Sequence, residues 1–386
     1  MNELVSRVRR LIADERSWIT LLLVTAVVAT AICVGRVCNN FLIFRSAFDH
    51  LVAGADLYAL HPAEHLDLFK YSPTFALVMA PFRALPYAVA LLAWNLLNVL
   101  LIYAGLRLVL PREERLAAVQ LTALGMVTTL DGTQSNGLVA ATMLLAFAAL
   151  ERDRLRLAAV AIVSGILIKL FPACALALAA PRRDRAKFAL WFAVIFAALV
   201  AVPLLVTPAS TLLAQYRSWY AMGAVDALDR GASVMRLLHI AFGYDGPNWP
   251  VQLAGAALLM LPLARGQWSD PRHRRLFLAS LLVYSVIFNH KAEQPSFVIA
   301  MVGVAIWYAL KPRSLMRDVL AGGVIIATVP VFLGVAIPSL PGGIMPALLL
   351  TSAMCTAVWV GIQAELLDLV PETAESLPEA LMQPVD

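Results

Sequence analysis

Charge is what this chain of 386 residues lacks most. Asp, Glu, Lys and Arg together make up 14% of it, against about 25% in soluble domains, and the shortfall excludes an ordinary soluble fold. Cysteine is scarce too. Cys33, Cys38, Cys174 and Cys355 all lie in or beside apolar runs. Their spacing fits neither a disulfide framework nor a zinc site, so small apolar packing is their expected role. There is no G-x-x-x-x-G-K-[ST] loop, no G-x-G-x-x-G after a strand and no serine-hydrolase elbow. A nucleotide-consuming cytosolic domain is thereby excluded, and any energy must come from a donor lipid or an ion gradient. No cofactor is expected. His61 and His65, with Glu64 and Asp67 nearby, have the spacing of a helical metal pair. No other Cys or His completes the set, and a solvated loop face is the expected reading.

Hydrophobic residues make up 61% of the chain, and the mean hydropathy is +0.79. This composition defines a polytopic membrane protein with helical spans, because lipid offers no partner to open backbone groups. The net charge of +5 does not point to nucleic acid. The basic residues cluster between apolar runs, as topology determinants do. Arg7, Arg9, Arg10 and Arg16 precede the run from Trp18 to Val34. That run is long and ends without a clear cleavage site, so it reads as a retained first span with the N-terminus inside.

Lys169 lies in the middle of LAAVAIVSGILIKLFPACALALAA, residues 157–180. A cation at bilayer depth is costly and marks a functional site with an anionic partner. Arg152, Arg154 and Arg156 precede the stretch; Arg182, Arg183, Arg185 and Lys187 follow it. Two basic flanks belong on one side of the membrane, so the segment is expected to enter, turn at Lys169–Pro172 and leave again. The competing reading is one ordinary span with a snorkelling lysine.

Threading from an inside N-terminus, span one delivers residues 38–71 to the outer side. Residues 71–86 are too short and too proline-broken for a secure crossing, and read as an element dipping into the outer leaflet. Spans follow at about Tyr87–Leu108 and about Leu116–Leu130, with a return ending at the Arg152 cluster. The Lys169 hairpin and a span at about Phe188–Val206 come next. Residues 207–248 form a second outer segment. Later spans turn at Arg265–Arg275 inside, Asn289–Gln294 outside, Lys311 and Arg313 inside, and Pro338–Gly343 outside. The expected fold is therefore an all-α polytopic bundle of about 10–12 transmembrane helices with a re-entrant hairpin and outer-face loops. Residues 1–365 form one domain. Residues 366–386 form an acidic cytoplasmic tail without periodicity, expected to be disordered.

With Lys169 outside, the basic loops fall on one face, and loops mixing carboxylates, amides, histidine and aromatics fall on the other. Among the outer groups, Lys169, Arg217, Arg230 and Lys291 could hold a phosphate. Asp49, Asp56, Asp131, Asp226, Asp229 and Glu293 could act as a general base. Asn40, Gln134, Asn136, Tyr58, Tyr71, Trp219 and Tyr220 suit a sugar. The set matches a lipid-phosphate sugar donor whose lipid lies in the bilayer. Trp94, Asn95 and Asn98 within a span read as helix–helix contacts.

Five motifs stand in order: Gly54-Ala-Asp-Leu-Tyr58, Tyr71-Ser-Pro-Thr-Phe75 with Pro81 and Leu85-Pro86, Gly132-Thr-Gln-Ser-Asn136, Gly165-Ile-Leu-Ile-Lys-Leu-Phe-Pro172, and the Trp219 neighbourhood. Through them the chain resembles the polyprenol-phosphate-mannose-dependent α-1,2-mannosyltransferases of the GT-C class. The resemblance implies an inverting transfer of mannose from a polyprenyl-phosphate donor to a glycolipid or glycan acceptor, with no nucleotide sugar and no nucleic-acid partner. It implies a multi-pass protein of the cell membrane with both termini cytoplasmic and a periplasmic active face. It places Lys169 near donor phosphate, with Arg217 or Lys291 supplementing it. It matches Gln134 and Asn136 to a Gln-x-Asn signature and His290 to a late histidine. Tyr58, Tyr71 and Trp219 join the substrate-binding set.

The presumed base of that family is an aspartate just after span one, and here the matching segment is Asn40-Phe-Leu-Ile-Phe44. An amide cannot accept the proton. Three readings stay open: a relocated carboxylate (Asp49, Glu293 or Asp131), a different donor or acceptor, or a non-catalytic sugar-lipid binder. A transporter or flippase of a lipid-linked or anionic substrate is the alternative class. Its expected paired broken helices are represented only once, at Lys169–Pro172.

Overall fold

The computed structural model describes residue 6 and residues 10–36, 38–226, 228–265, 267–310, 314–336 and 344–369. Among them there are helices and no strands. The expected turn at Pro338–Gly343, the loop cations Lys311 and Arg313, and the tail from residue 370 lie outside the described residues.

In chain order the α-helices are α1 Glu15–Arg36, α2 Asn39–Ala53, α3 Pro73–Val78, α4 Ala80–Ala84, α5 Tyr87–Val109, α6 Arg112–Asp131, α7 Asn136–Leu150 and α8 Leu155–Ile168. A 3-10 arm at Phe171–Ala179 precedes α9 Arg185–Ala201. Then come α10 Ala209–Asp226, α11 Val234–Phe242, α12 Asn248–Met260, α13 Pro271–Ile287, α14 Phe297–Ala309, α15 Leu315–Ala336 and α16 Met345–Leu366. Among the described residues four segments, Glu15–Arg36, Tyr87–Val109, Arg185–Leu205 and Met345–Leu366, are long and apolar enough to cross a membrane. The chain is a multi-pass membrane protein.

Burial sorts the helices into centre and rim. Nearly every residue of α14 is buried, as is α13 from Leu276 onward apart from Tyr284, and so is all but a narrow stripe of α7. In contrast, α9 buries only Phe188. Leu190, Val194 and Phe196 on α9, and Leu21, Val24 and Val28 on α1, stand exposed. A helix apolar on all sides needs either protein or lipid around it. Here the central helices take the first and the rim helices the second.

Side-chain pairs divide the bundle into two ends. At one end Arg115 and Tyr103 hold Glu15, Arg275 holds Glu114, Arg274 holds Glu151, and Arg317 holds Glu365. At the other, Arg36 pairs with Asp131 at 2.6 Å and Lys291 with Asp229 at 3.0 Å. The first is the basic end.

Local chemistry sets the boundaries. Ser72 caps α3, its Oγ accepting from the Phe75 amide, with Pro73 in the first turn. Asp270 caps α13 by accepting from the Arg272 and His273 amides. Gly54 ends α2 at φ 69°, a left-handed cap that glycine adopts without a Cβ clash. The short helices α3 and α4 do not cross. Ser72 bonds the Leu167 carbonyl and Thr74 the Leu199 carbonyl, so α3 sits beside the ends of α8 and α9 remote from the basic loops, and α4 packs on α2 and α5.

The segment around Lys169 is a re-entrant hairpin. Arg182, beyond the second arm, donates to the carboxylate of Asp153 at 2.5 Å and to the Leu150 carbonyl at 2.8 Å, both ahead of the first arm. The flanks therefore meet. Fourteen α-residues rising ~1.5 Å each and nine 3-10 residues rising ~2.0 Å each give arms of about 21 and about 18 Å. Matching arms explain how an apolar stretch of one span's length returns to its starting face. Gly165 makes the close approach possible, since a Cβ there would lie 2.6 Å from Thr142 Oγ1 and 3.2 Å from Pro172.

One expectation is corrected. Cys33 and Cys38 form a disulfide with Cα atoms 5.2 Å apart, rather than packing as free thiols. The helix breaks between α1 and α2, which brings two cysteines five residues apart within bonding range. Cys174 and Cys355 are free.

Candidate active site

At the end of the bundle opposite the basic loops lies a cavity of about 870 Å³. Its polar part draws on Asn40 from α2, Asp67, Lys70 and Tyr71 from the loop before α3, Gln134 from the turn before α7, Lys169 from the hairpin tip, Gln252 from α12, and Asn289–Lys291 with Glu293 from the loop after α13. Trp219 contributes an aromatic wall from α10.

Lys169 terminates α8 in extended backbone. Its ammonium donates to Asn136 Oδ1 at 2.8 Å and stands 5.9 Å from the Tyr71 ring centroid. No carboxylate pairs with it in a salt bridge among the described residues. Asn136 is itself buried and does not line the cavity. Its part is to hold the lysine with a neutral acceptor, which leaves the positive charge uncompensated at contact range.

Gln134 is held by a strained turn. Thr133 has φ 49°, an unusual conformation for a β-branched residue. Three contacts around it fix the turn: Trp94 Nε1 donates to the Thr133 carbonyl at 3.0 Å, Asn40 Nδ2 to the Gly132 carbonyl at 2.8 Å, and the Tyr71 hydroxyl approaches Gln134 Oε1 at 3.5 Å. Asn95 and Asn98 brace the same region, bonding Thr30 and the Leu138 amide across helices.

On the far side, Gly231 at φ 44° lets the loop before α11 press against the loop after α13, where a Cβ would meet the Ala292 carbonyl at 2.6 Å. Ala232 donates to that carbonyl at 2.8 Å. This docking delivers Asp229 to Lys291. Burial raises the Asp229 carboxyl, but Lys291 and the Gly231 and Arg230 amides outweigh it and hold the group below the usual carboxylate range. The Lys291 charge is thus already answered. Gln252 fixes His290, approaching its Nδ1 at 3.2 Å while bonding the Phe288 carbonyl.

The apolar part of the cavity follows the 3-10 arm. Three residues per turn stack i and i+3 in one column. Phe171, Cys174, Ala177 and Ala180 form such a column and line the cavity. The neighbouring column contains Pro172, Ala175 and Leu178, all buried. Ala256, Leu259, Tyr284 and Phe288 face the lined column from α12, α13 and its end. A polar head space therefore opens onto an apolar groove running toward the basic end.

Of the sequence candidates, the cavity wall brings together Asn40, Tyr71, Gln134, Lys169, Trp219, His290, Lys291 and Glu293. The others lie elsewhere. Asp49 follows Asn40 by nine residues, two and a half helical turns, and so faces the opposite way; it pairs with Arg83. Asp131 pairs with Arg36. Arg217 is exposed and two residues from Trp219, an offset that points away from the cavity. Tyr58 is buried behind Tyr71, donating to its carbonyl at 2.8 Å. His61 stacks on His50 with centroids 3.8 Å apart. Among the described residues no group of three or more His, Cys, Asp or Glu is arranged to hold a metal ion.

Sequence reasoning missed Asp67, Lys70 and Gln252 as members of the wall. Asp67 and Lys70 carried no motif. Gln252 did carry a signal: it is the one amide in the apolar run WPVQLAGAALLM, residues 249–260.

Fold and site together define a multi-pass helical membrane protein with an amphipathic cavity at one end of its bundle. The sequence profile of Glycosyltransferase family 87 matches residues 69–290, and the chain belongs to that family. It is a membrane glycosyltransferase. Among solved structures, that of ArnT from Cupriavidus metallidurans bound to undecaprenyl phosphate is similar at a TM-score of 0.43 and 15% identity, over 92% of this chain and 77% of that one. No curated protein sequence matches the chain.

Proposed function

We propose that this glycosyltransferase moves a sugar, mannose by the sequence resemblance, from a polyprenyl-phosphate donor to a glycolipid or glycan hydroxyl with inversion. The observation that carries the reading is the Lys169 ammonium. It sits at a hairpin tip in the cavity wall, bonded to a neutral amide, above a groove lined by small and apolar side chains. A phosphate would meet the cation, its lipid chain would follow the 3-10 arm, and the sugar would lie against Tyr71 and Trp219.

The carboxylates lining the cavity are Asp67 and Glu293. The charges of both carboxylates reach Tyr71, but only that of Glu293 reaches Lys169; Glu293 is the better base, since Asp67 also accepts from the Leu68 amide and lies 3.9 Å from Lys70. In the reaction the acceptor oxygen attacks the anomeric carbon from the face opposite the phosphate. The bond from that carbon to the phosphate oxygen breaks with its electron pair, and the hydroxyl proton passes to Glu293. Lys169 stabilises the charge developing on the leaving phosphate. Two carboxylates in the cavity favour turnover over a sugar-lipid binder, despite Asn40.

The orientation we propose puts the cavity on the extracytoplasmic side of the cell membrane and both termini in the cytoplasm. The Cys33–Cys38 disulfide sits at the cavity's end, and disulfides persist in oxidising compartments. The arginine-rich loops lie at the other end, as cytoplasmic loops do.

The test is transfer from radiolabelled polyprenyl-phosphomannose to a membrane glycolipid extract by the purified full chain in nanodiscs. Product is expected from the native protein and none from Glu293→Gln, with donor binding retained. Near-native turnover by Glu293→Gln would remove Glu293 as the base. Donor uptake into sealed vesicles without a new glycosidic bond would favour a transporter.

A further inference from the structure

A second cavity, of about 480 Å³, lies at the basic end and has no part in the reaction above. We propose that it binds an anionic phospholipid of the adjacent leaflet. Phe147, Leu150, Leu178 and Phe277 make an apolar floor, with Trp268 as one wall. Arg182, Arg183 and Arg274 stand at the rim with Glu151 and Asp184.

The hairpin assembles this site. Its closure joins two segments, 151–156 and 181–187, each a loop with the first turn of the helix that follows, and together they carry seven Lys and Arg against Glu151, Asp153 and Asp184. Arg274 is answered by Glu151 through two bonds of 2.7 and 2.8 Å, and Arg182 by Asp153 and Asp184. Arg183 is exposed and has no acidic partner among the described residues. Basic pockets between helices at this depth suit lipid headgroups, and an interfacial tryptophan beside an apolar floor suits acyl chains. A free phosphate would use the rim and leave the floor wet. The apolar floor therefore favours a lipid phosphate over a soluble one.

The position gives the lipid a structural effect. Leu178 and Pro181 face this cavity, while Ala177 and Ala180 of the same arm face the large one. A lipid seated here braces the 3-10 arm from behind.

The experiment is native mass spectrometry of the full chain released from nanodiscs of phosphatidylcholine containing phosphatidylglycerol, with and without inorganic phosphate. One phosphatidylglycerol is expected to be retained in preference to phosphatidylcholine, and inorganic phosphate should not displace it. Arg183→Gln, at an exposed and unpaired position, should fold normally and lower that preference about five-fold, the effect of one interfacial cation. Leu178→Trp should lower retention with every charge intact, by filling the floor. Unchanged preference in Arg183→Gln overturns the proposal. So does displacement by inorganic phosphate, which would assign the rim to a soluble anion.

Discussion

The side-chain amide of Asn40 donates to the backbone carbonyl of Gly132 at 2.8 Å, tying α2 to the turn that presents Gln134. An aspartate at this position would set a carboxylate oxygen against that carbonyl, with no proton between them. Asn40→Asp is therefore expected to lower stability by about 1–3 kcal/mol, the usual range for a lost buried partner, and to bring no gain in transfer. Thermal melting and the radiolabel assay check the two halves. Faster transfer by Asn40→Asp would return the base to α2 and argue against Glu293.

Lys169 and Asn136 allow a sharper test than deleting the lysine. Lys169→Ala should lower turnover about 100- to 1,000-fold, as removal of one charge-stabilising donor does. Asn136→Asp retains the lysine but pairs it with a carboxylate at the same position. Donor affinity should then fall although the cation remains. In the Lys169→Ala background Asn136→Asp should be worse than Lys169→Ala alone, because it leaves a buried carboxylate with no cation beside it. Equal activity of the two would mean that a charge at position 136 does not reach the donor phosphate.

Ala177 lies between Cys174 and Ala180 in the column lining the groove. Ala177→Trp should block passage of a long isoprenoid while leaving the head space open. The expected result is a raised KM for long-chain donors and little change for a short-chain analogue. Equal effects on both would show that the lipid leaves the head space by another route.

The loop between α2 and α3 should respond to acid. His65 is buried, its Nδ1 has no hydrogen-bond partner, and it lies beside His61, His50 and Glu64. Burial pulls its pKa below the usual histidine value; the backbone of Asp67 and the charge of Glu64 oppose this, while the other two histidines add to it. The unfolded chain thus takes up the proton at a higher pH than the folded one. The stability His65 contributes is full above about pH 6.5 and is lost as pH falls toward its depressed folded value. Hydrogen-exchange protection of the peptide spanning residues 54–72, taken relative to the intrinsic rate at each pH, should fall on acidification through that window. His65→Gln should flatten the response.

The bundle was legible because its causes are local. Apolar runs, basic loops and proline breaks follow from solvation and charge. Even the hairpin could be read from two basic flanks around one stretch, and Arg182 meeting Asp153 supplies its closure. The site was legible in part. Lys169 stood out because a cation is conspicuous in an apolar run, and so did Gln134 and Asn136 as amides in a short turn. Asp49 and Arg217 were equally conspicuous, yet they face away from the cavity. Loop positions such as Asp67 and Lys70 carried no mark at all.

By itself, then, the sequence determined the class: a helical, multi-pass protein with a buried cation and its basic loops gathered at one end. Those properties depend on composition and short spacing, which neighbours in the chain dictate. Only the tertiary structure decided which polar groups share a cavity. It also paired Cys33 with Cys38, left Lys169 against an amide and gave Asp49 to Arg83. Each of these outcomes depends on where separate helices meet and which way their ends turn, and no local stretch of sequence encodes that.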